Sequence, residues 1–175
     1  MTRDSLLLEQ IGRANILHVH LTITTVDERL ARLIEPMAPR PGLRFEAVSA
    51  LSSRGVSVAV TGSPVLPLIT DSQCNLDALA KAAREAGARA FGAHAVFLKP
   101  CVQRVFFPFL EQHFPHLVRR YRERFERNPF LRGAYIDELQ RRVEAARSRY
   151  RLTAWPADYR PELWEDDPQL RFTFA

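Results

Sequence analysis

Residues 17–24 alternate between apolar and polar side chains. Leu17, Val19, Leu21 and Ile23 fall on one face, and His18, His20, Thr22 and Thr24 on the other. Successive side chains of a strand point to opposite sides. The pattern predicts a strand over 16–25 that packs under helices on one face and lines a polar cavity with the other. Leu30, Leu33 and Ile34 then recur at helical spacing, predicting a helix over 26–35 that Asp27 caps or opens. Pro36, Pro39 and Pro41 enforce an extended link. A helix over 42–53 carries Leu43, Ala47, Val48, Ala50 and Leu51 and stops at Gly55. A strand over 56–63 follows and ends at Pro64 and Pro67. Thr70 or Asp71 caps the next helix, or Asn75 opens its main body, and it runs to Gly87. An apolar strand over 89–98 completes this part.

Strands separated by helices predict parallel βαβ units with right-handed crossovers. The short helix SLLLEQIG, capped by Thr2, Asp4 or Ser5, stands at the start with no strand before it. That is an incomplete unit. The fold class expected is therefore α/β, with three parallel strands and covering helices over residues 1–100. After Pro100 the pattern changes to aromatic and then basic. Leu117, Val118, Tyr121 and Phe125 form one helical stripe, and Tyr135, Leu139, Val143, Ala146 and Tyr150 a second. Residues 101–152 are expected as a helical extension packed on the first part. Residues 153–175 show no period and are expected as an irregular, surface-wrapping tail.

Composition narrows the function classes. The chain has 175 residues, 46% of them hydrophobic, a formal net charge of +5 and a pI near 9.8. Only Lys81 and Lys99 among 25 basic residues are lysine. A basic balance permits a nucleic-acid partner without requiring one. Cys74 and Cys101 have no metal-ligand spacing and are too few for a disulfide scaffold, which is read as a reducing, cytoplasmic setting. No run of about 18 apolar residues predicts a membrane span, and the N-terminus lacks the features of a secretory signal.

The stretch LTITTVDERLARLIEPMAPRPGLRFEAVSALSSRGVSVAVTGSPVLPLITD resembles the second half of the radical S-adenosylmethionine proteins related to spore photoproduct lyase. The matching residues are Thr24, Thr25, Asp27, Glu35, Pro36, Arg44, Gly55, Pro64, Pro67 and Asp71. Glu85, Ala86, Gly87, Ala88 and the block LKPCVQRVFFPFLEQHFP extend the likeness to about residue 128. The resemblance implies the second half of a partial (βα)6 barrel. It also implies S-adenosylmethionine at the C-terminal edge of the strands, against a 4Fe-4S cluster held by a CxxxCxxC motif. That motif is absent. Two cysteines cannot supply three thiolates, and TRDSLLLEQIG corresponds to the helix after the third strand of such a barrel. The expectation is a truncated or mis-started product, or one partner of a split protein, inactive alone. It would associate with the missing N-terminal half or with itself through an open sheet edge.

Candidate site residues follow from both readings. By resemblance, the polar face of strand 16–25 points at the cofactor, with Thr24 and Thr25 at the strand end where parallel sheets bind ligands. The alternative is a cap for the following helix. Thr61, Gly62 and Ser63 end the next strand, and Gly62 either lets a ligand approach the backbone or serves as a turn glycine. Arg44 either pairs with Glu35 to join two helices or reaches a carboxylate or phosphate. His18, His20 and His94 form a candidate zinc site, or else are hydrogen-bonded interior histidines. Arg119, Arg120 and Arg122 are candidates for phosphate contact, or else lie on a solvated face paired with Glu123 and Glu126. Three functions stand: a lyase-like half-barrel that lines the cofactor and substrate side, a non-catalytic basic module binding nucleic acid or a partner, and a metal-dependent hydrolase-like site.

Overall fold

A computed structural model of the chain describes residues 2–163. Its centre is a three-stranded parallel sheet in the order β1-β2-β3, formed by β1 (His18–Thr22), β2 (Ser57–Thr61) and β3 (Ala90–Gly92). The register sets His18 beside Ser57, His20 beside Ala59 and Ala59 beside Ala90. One face of the sheet therefore carries His18, His20, Thr22, Ser57, Ala59, Thr61, Ala90 and Gly92. The other carries Val19, Leu21, Val58, Val60 and Phe91.

The apolar face packs under α3 (Pro41–Ser52) and α4 (Gln73–Glu85). Val48, Leu51, Leu76 and Leu79 are fully buried against Val58, Val60 and Phe91. Each such side chain contributes roughly 1.5–3 kcal/mol of transfer free energy. This layer is the core that fixes the strand ends in space. α1 (Ser5–Ala14) precedes β1 and packs on α3, and Glu9 pairs with Arg54, just past the end of α3, at 2.9 Å.

Local chemistry accounts for most boundaries. Asp27 caps α2 (Glu28–Ile34) by accepting from the N–H groups of Arg29 and Leu30. Gly55, at φ +77°, ends the turn after α3. Gly87, at φ +88°, closes α4, and a Cβ there would meet Ser52 Oγ at 2.5 Å.

Three expectations need correction. The cap of α4 is Ser72, which accepts from Asn75 N. Thr70 and Asp71 instead stabilise the preceding loop by accepting from Leu66 N and Leu68 N. At the first helix, Asp4 holds the cap position without a side-chain cap bond. The third strand spans three residues, not 89–98, because the chain leaves the sheet after Gly92. It then makes separate bridges from Ala95 to Val65 and from Phe97 to Phe130.

The C-terminal helices divide between two cores. α5 (Pro100–His113) and α6 (Val118–Phe125) enclose a second cluster of Leu66, Val96, Leu98, Leu110, Leu117, Tyr121 and Phe125. α7 (Ala134–Tyr150) joins the first core through Leu139, Val143 and Ala146. Thr153 then bridges to Ala90 at the outer edge of β3. From there residues 154–163 run without regular structure back to β1 and α1; the remainder of the expected tail, 164–175, lies outside the described residues. Among the described residues, no helix is long and apolar enough to cross a membrane.

Candidate functional site

The polar face of the sheet is the surface to which the strands bring chemistry. Its lower part, near the strand N-termini, is covered by the tail. His18 shares one ring nitrogen with Ser57 Oγ at 3.0 Å and the other with Asp158 Oδ1 at 3.2 Å. The Tyr159 hydroxyl accepts from Leu17 N at 3.1 Å and lies against the Gly12 and Asn15 carbonyls. Trp155 lies across His20, with ring centroids 5.7 Å apart.

Above that strap a cleft remains, of about 130 Å³. It is walled by His20, Thr61, Gly92, His94, Gln140, Arg147 and Trp155. It lies towards the C-terminal ends of β2 and β3, where open parallel sheets place their ligands. Gly92 forms part of the floor, and a Cβ built on it meets nothing within 4 Å. Its missing side chain is therefore part of the open space. The chemistry of the wall is mixed: two imidazoles, a guanidinium, an amide, a hydroxyl and an indole. Among the described residues no carboxylate lines it. Glu144, on the outer side of α7, is bonded to Arg147, which draws its carboxyl below the usual range.

Thr24, Thr25 and Arg44 lie elsewhere, in a closed clamp at the end of β1. The Thr24 hydroxyl donates to Glu35 at 2.9 Å, and both threonines are buried. Arg44 donates to the Thr22 carbonyl at 2.7 Å, to the Pro39 carbonyl at 3.0 Å and to both Glu35 oxygens at 3.3 and 3.4 Å. Thr25 donates to Asn75 Oδ1 at 2.8 Å, and the Asn75 amide donates to the Thr24 and Thr70 carbonyls. The space beside these groups is about 10 Å³, room for about one water. The clamp joins β1, α2, α3 and α4 and so positions the strand ends.

The remaining candidates separate. Thr61 reaches the cleft. Gly62 does not, because a Cβ on it would meet Leu79 at 3.2 Å and Phe91 and Ala93 at 3.5 Å. It is a packing glycine under α4, and the glycine that faces open space is Gly92. Ser63 Oγ accepts from His94 N at 2.8 Å and anchors the loop after β3. The zinc site is not formed: among the described residues, no three His, Cys, Asp or Glu side chains gather as metal ligands. His18 is held under the strap by Ser57 and Asp158, while His94 stands past the end of β3. On α6, Arg119 pairs with Glu123 and Arg122 with Glu111, and the Arg122 guanidinium also lies 4.8 Å from the Phe107 ring centre. Arg120 is exposed on the same helix.

A buried polar group lies between the two cores. The Tyr121 hydroxyl donates to the Pro67 carbonyl at 2.8 Å, and Tyr135 donates to Asp71 at 3.2 Å. Burial pushes both phenols well above their ordinary range, and the Asp71 carboxylate adds to the effect.

Sequence patterning missed Gly92, Gln140, Arg147 and Trp155 as site residues. Gly92 carried no turn signal, and the other three arrive from α7 and the tail, more than 45 positions further along the chain.

No protein-family model matches the chain, and no solved structure matches it. It is similar to uncharacterized proteins of Mycobacterium bovis and of the CDC 1551 and H37Rv strains of Mycobacterium tuberculosis. Each is 31% identical over 170 residues, which cover 97% of this chain and 49% of the relative. The chain thus spans about half the length of the curated relatives it matches.

Proposed function

We propose that this chain is the C-terminal half of a radical S-adenosylmethionine, lyase-like barrel, and that it contributes one wall of the cofactor and substrate cavity. The observation that carries the reading is the cleft at His20, Thr61, Gly92, His94, Arg147 and Trp155. It combines a polar sheet face, the C-terminal ends of parallel strands and a floor glycine without a side chain. At about 130 Å³ it is smaller than the roughly 300–1,000 Å³ of complete ligand pockets. A wall shared with a second half would present that much.

The chemistry of the wall suits S-adenosylmethionine. The Trp155 indole and His20 imidazole offer flat surfaces to a purine. Arg147 offers a guanidinium to a carboxylate, and Thr61 and Gln140 offer hydrogen bonds to hydroxyls or ring nitrogens. When bound, S-adenosylmethionine supplies an activated carbon–sulfur bond. The residues of this chain bind and orient it, and the strap at 154–159 closes the lower end of the cavity against water. Thr24, Thr25 and Arg44 serve as positioning residues, since they hold the strand ends on which the wall stands.

An iron–sulfur cluster does not fit this chain. Cys74 and Cys101 are both exposed, on different helices, and no third thiolate exists. No reaction step is assigned to this half alone.

The test is ligand binding to the chain by itself. Saturation-transfer NMR with S-adenosylhomocysteine should show contact at the adenine protons. Gly92→Val, whose Cβ would stand in open space, should remove the signal at unchanged Tm. Equal signal in Gly92→Val, or none in the parent, would refute the assignment of the cleft.

A further inference from the structure

The cleft on the polar sheet face is unbalanced in charge. Arg147 shares one face of α7 with Gln140 and Val143, and all three line the cleft. Its side chain is only 17% exposed. Glu144 takes one of its N–H donors from the solvent side. Among the described residues its other side-chain donors have no acceptor. Donors of a nearly buried cation are costly to leave unmet, so they call for an acceptor that enters the cleft.

Two imidazoles stand beside the guanidinium. His20 lies against the Trp155 ring, and His94 is held through its backbone N–H by Ser63 Oγ. Among the described residues neither imidazole hydrogen-bonds to the protein. His18 differs, since both its nitrogens are taken by Ser57 and Asp158. A neutral imidazole presents one N–H donor, and a protonated one presents two with a positive charge. With no carboxylate among the described lining residues, each ionisable group of this wall is neutral or positive.

S-adenosylmethionine does not supply the missing negative charge. It carries a sulfonium and an ammonium against a single carboxylate, so it brings net positive charge to a wall that is already basic. Like charges repel most strongly where water is excluded. An anionic second occupant restores the complementarity.

The surroundings favour a small anion over a polymer. The cleft measures about 130 Å³, room for one acid group rather than a run of phosphates. Polyanions are bound along basic tracks, and the arginines that would form one here are paired. On α7, Arg141 and Arg142 pair with Glu138, and Arg149 with Asp77. On α6, Arg119 and Arg122 pair with Glu123 and Glu111.

We infer that the molecule sharing this cleft with S-adenosylmethionine is a small organic acid, whose phosphate or carboxylate group is held by Arg147, with His20 and His94 at its sides. This rests on the cofactor reading for there being a second occupant, and the anion site itself is tested without any S-adenosyl compound.

The probes are inorganic phosphate and acetate, titrated separately into the full chain at constant ionic strength and followed by NMR. The His20 and His94 ring signals and the Arg147 side-chain N–H should move and saturate at millimolar probe. The His113 and His116 rings, outside the cleft, should stay fixed. The probe that saturates at the lower concentration identifies the acid group. Arg147→Gln removes the charged donor and should weaken binding at least about tenfold. Gly92→Val keeps every charge, narrows the space and should also weaken it; both variants should keep the circular dichroism of the parent. The inference is overturned by signals that do not saturate with either probe, by equal shifts at His113 and His116, or by binding unchanged in both variants. A single-stranded oligonucleotide that moves the same signals at lower concentration than either probe would also overturn it. Adenine contact from S-adenosylhomocysteine without anion binding would remove this inference and leave the cofactor reading. Anion binding without adenine contact would support the anion site and remove the cofactor reading.

Discussion

Replacing Arg44 by alanine should destabilise the fold by about 3 kcal/mol. The guanidinium is nearly buried, at 15% side-chain exposure, and its contacts join three elements. Truncation removes a charged donor from two backbone carbonyls, at Thr22 and Pro39, and the fork onto Glu35. Hydrogen bonds to charged groups contribute about 1.5–3 kcal/mol each. The lower end applies here, since Glu35 keeps 30% of its side chain exposed and water can reach the vacated groups. Two bonds at that end give about 3 kcal/mol, and the ion pair, long at 3.3 Å and open to water on its Glu35 side, adds little more. For a chain of this size each kcal/mol corresponds to about 2–4 °C in Tm, so the drop should be about 6–12 °C. Urea unfolding monitored by circular dichroism reads it directly. Arg44→Lys keeps the charge without the fork and should recover less than half. A cycle with Glu35→Gln should show a coupling of about 1 kcal/mol. An Arg44→Ala variant within about 0.5 kcal/mol of the parent would refute the clamp and return Arg44 to the ligand-contact reading.

Three further outcomes follow from the geometry. Gly87→Ala should cost about 2 kcal/mol, because the left-handed backbone and the 2.5 Å approach to Ser52 both oppose a side chain; Ser52→Gly should recover part of that loss in urea unfolding. Tyr121 and Tyr135 should stay unionised in the folded protein past pH 10, as read by absorbance of the phenolate. Their folded pKa values are raised above the unfolded ones, so their contribution to stability is complete below about pH 10 and is lost as pH rises towards the folded values. Tyr135→Phe should therefore flatten the alkaline limb of stability against pH. Trp155→Ala should leave the sheet intact while widening the cleft, seen as faster hydrogen exchange at the β3 amides with little change in Tm.

Much of the frame was legible because its signals are local. The alternation at 17–24, the caps at Asp27 and Gly55 and the apolar spacing of α3 and α4 each involve residues within a few positions. The α4 cap was not resolved because Thr70, Asp71, Ser72 and Asn75 are all competent cap residues; loop bonds to Leu66 N and Leu68 N decide between them. The short β3 was missed because an apolar run does not distinguish a ladder from a buried loop that bridges to Val65 and Phe130. The largest gap was the strap. The contacts from Trp155 and Asp158 to β1, and from Tyr159 to Leu17 just before it, join positions about 135–142 residues apart, and no periodicity records such a meeting. Of the alternating polar positions His18, His20, Thr22 and Thr24, His20 lines the cleft, and the tail residues that cover His18 at the lower end were not foreseen.

The central claim is that the polar sheet face is one wall of an S-adenosylmethionine cavity, and the Trp155 indole N–H signal tests it most directly. That signal, assigned with Trp155→Phe, should shift on titration with S-adenosylhomocysteine in the parent chain and stay fixed in Gly92→Val. A signal that does not move up to millimolar ligand, or that moves equally in Gly92→Val, would contradict the account.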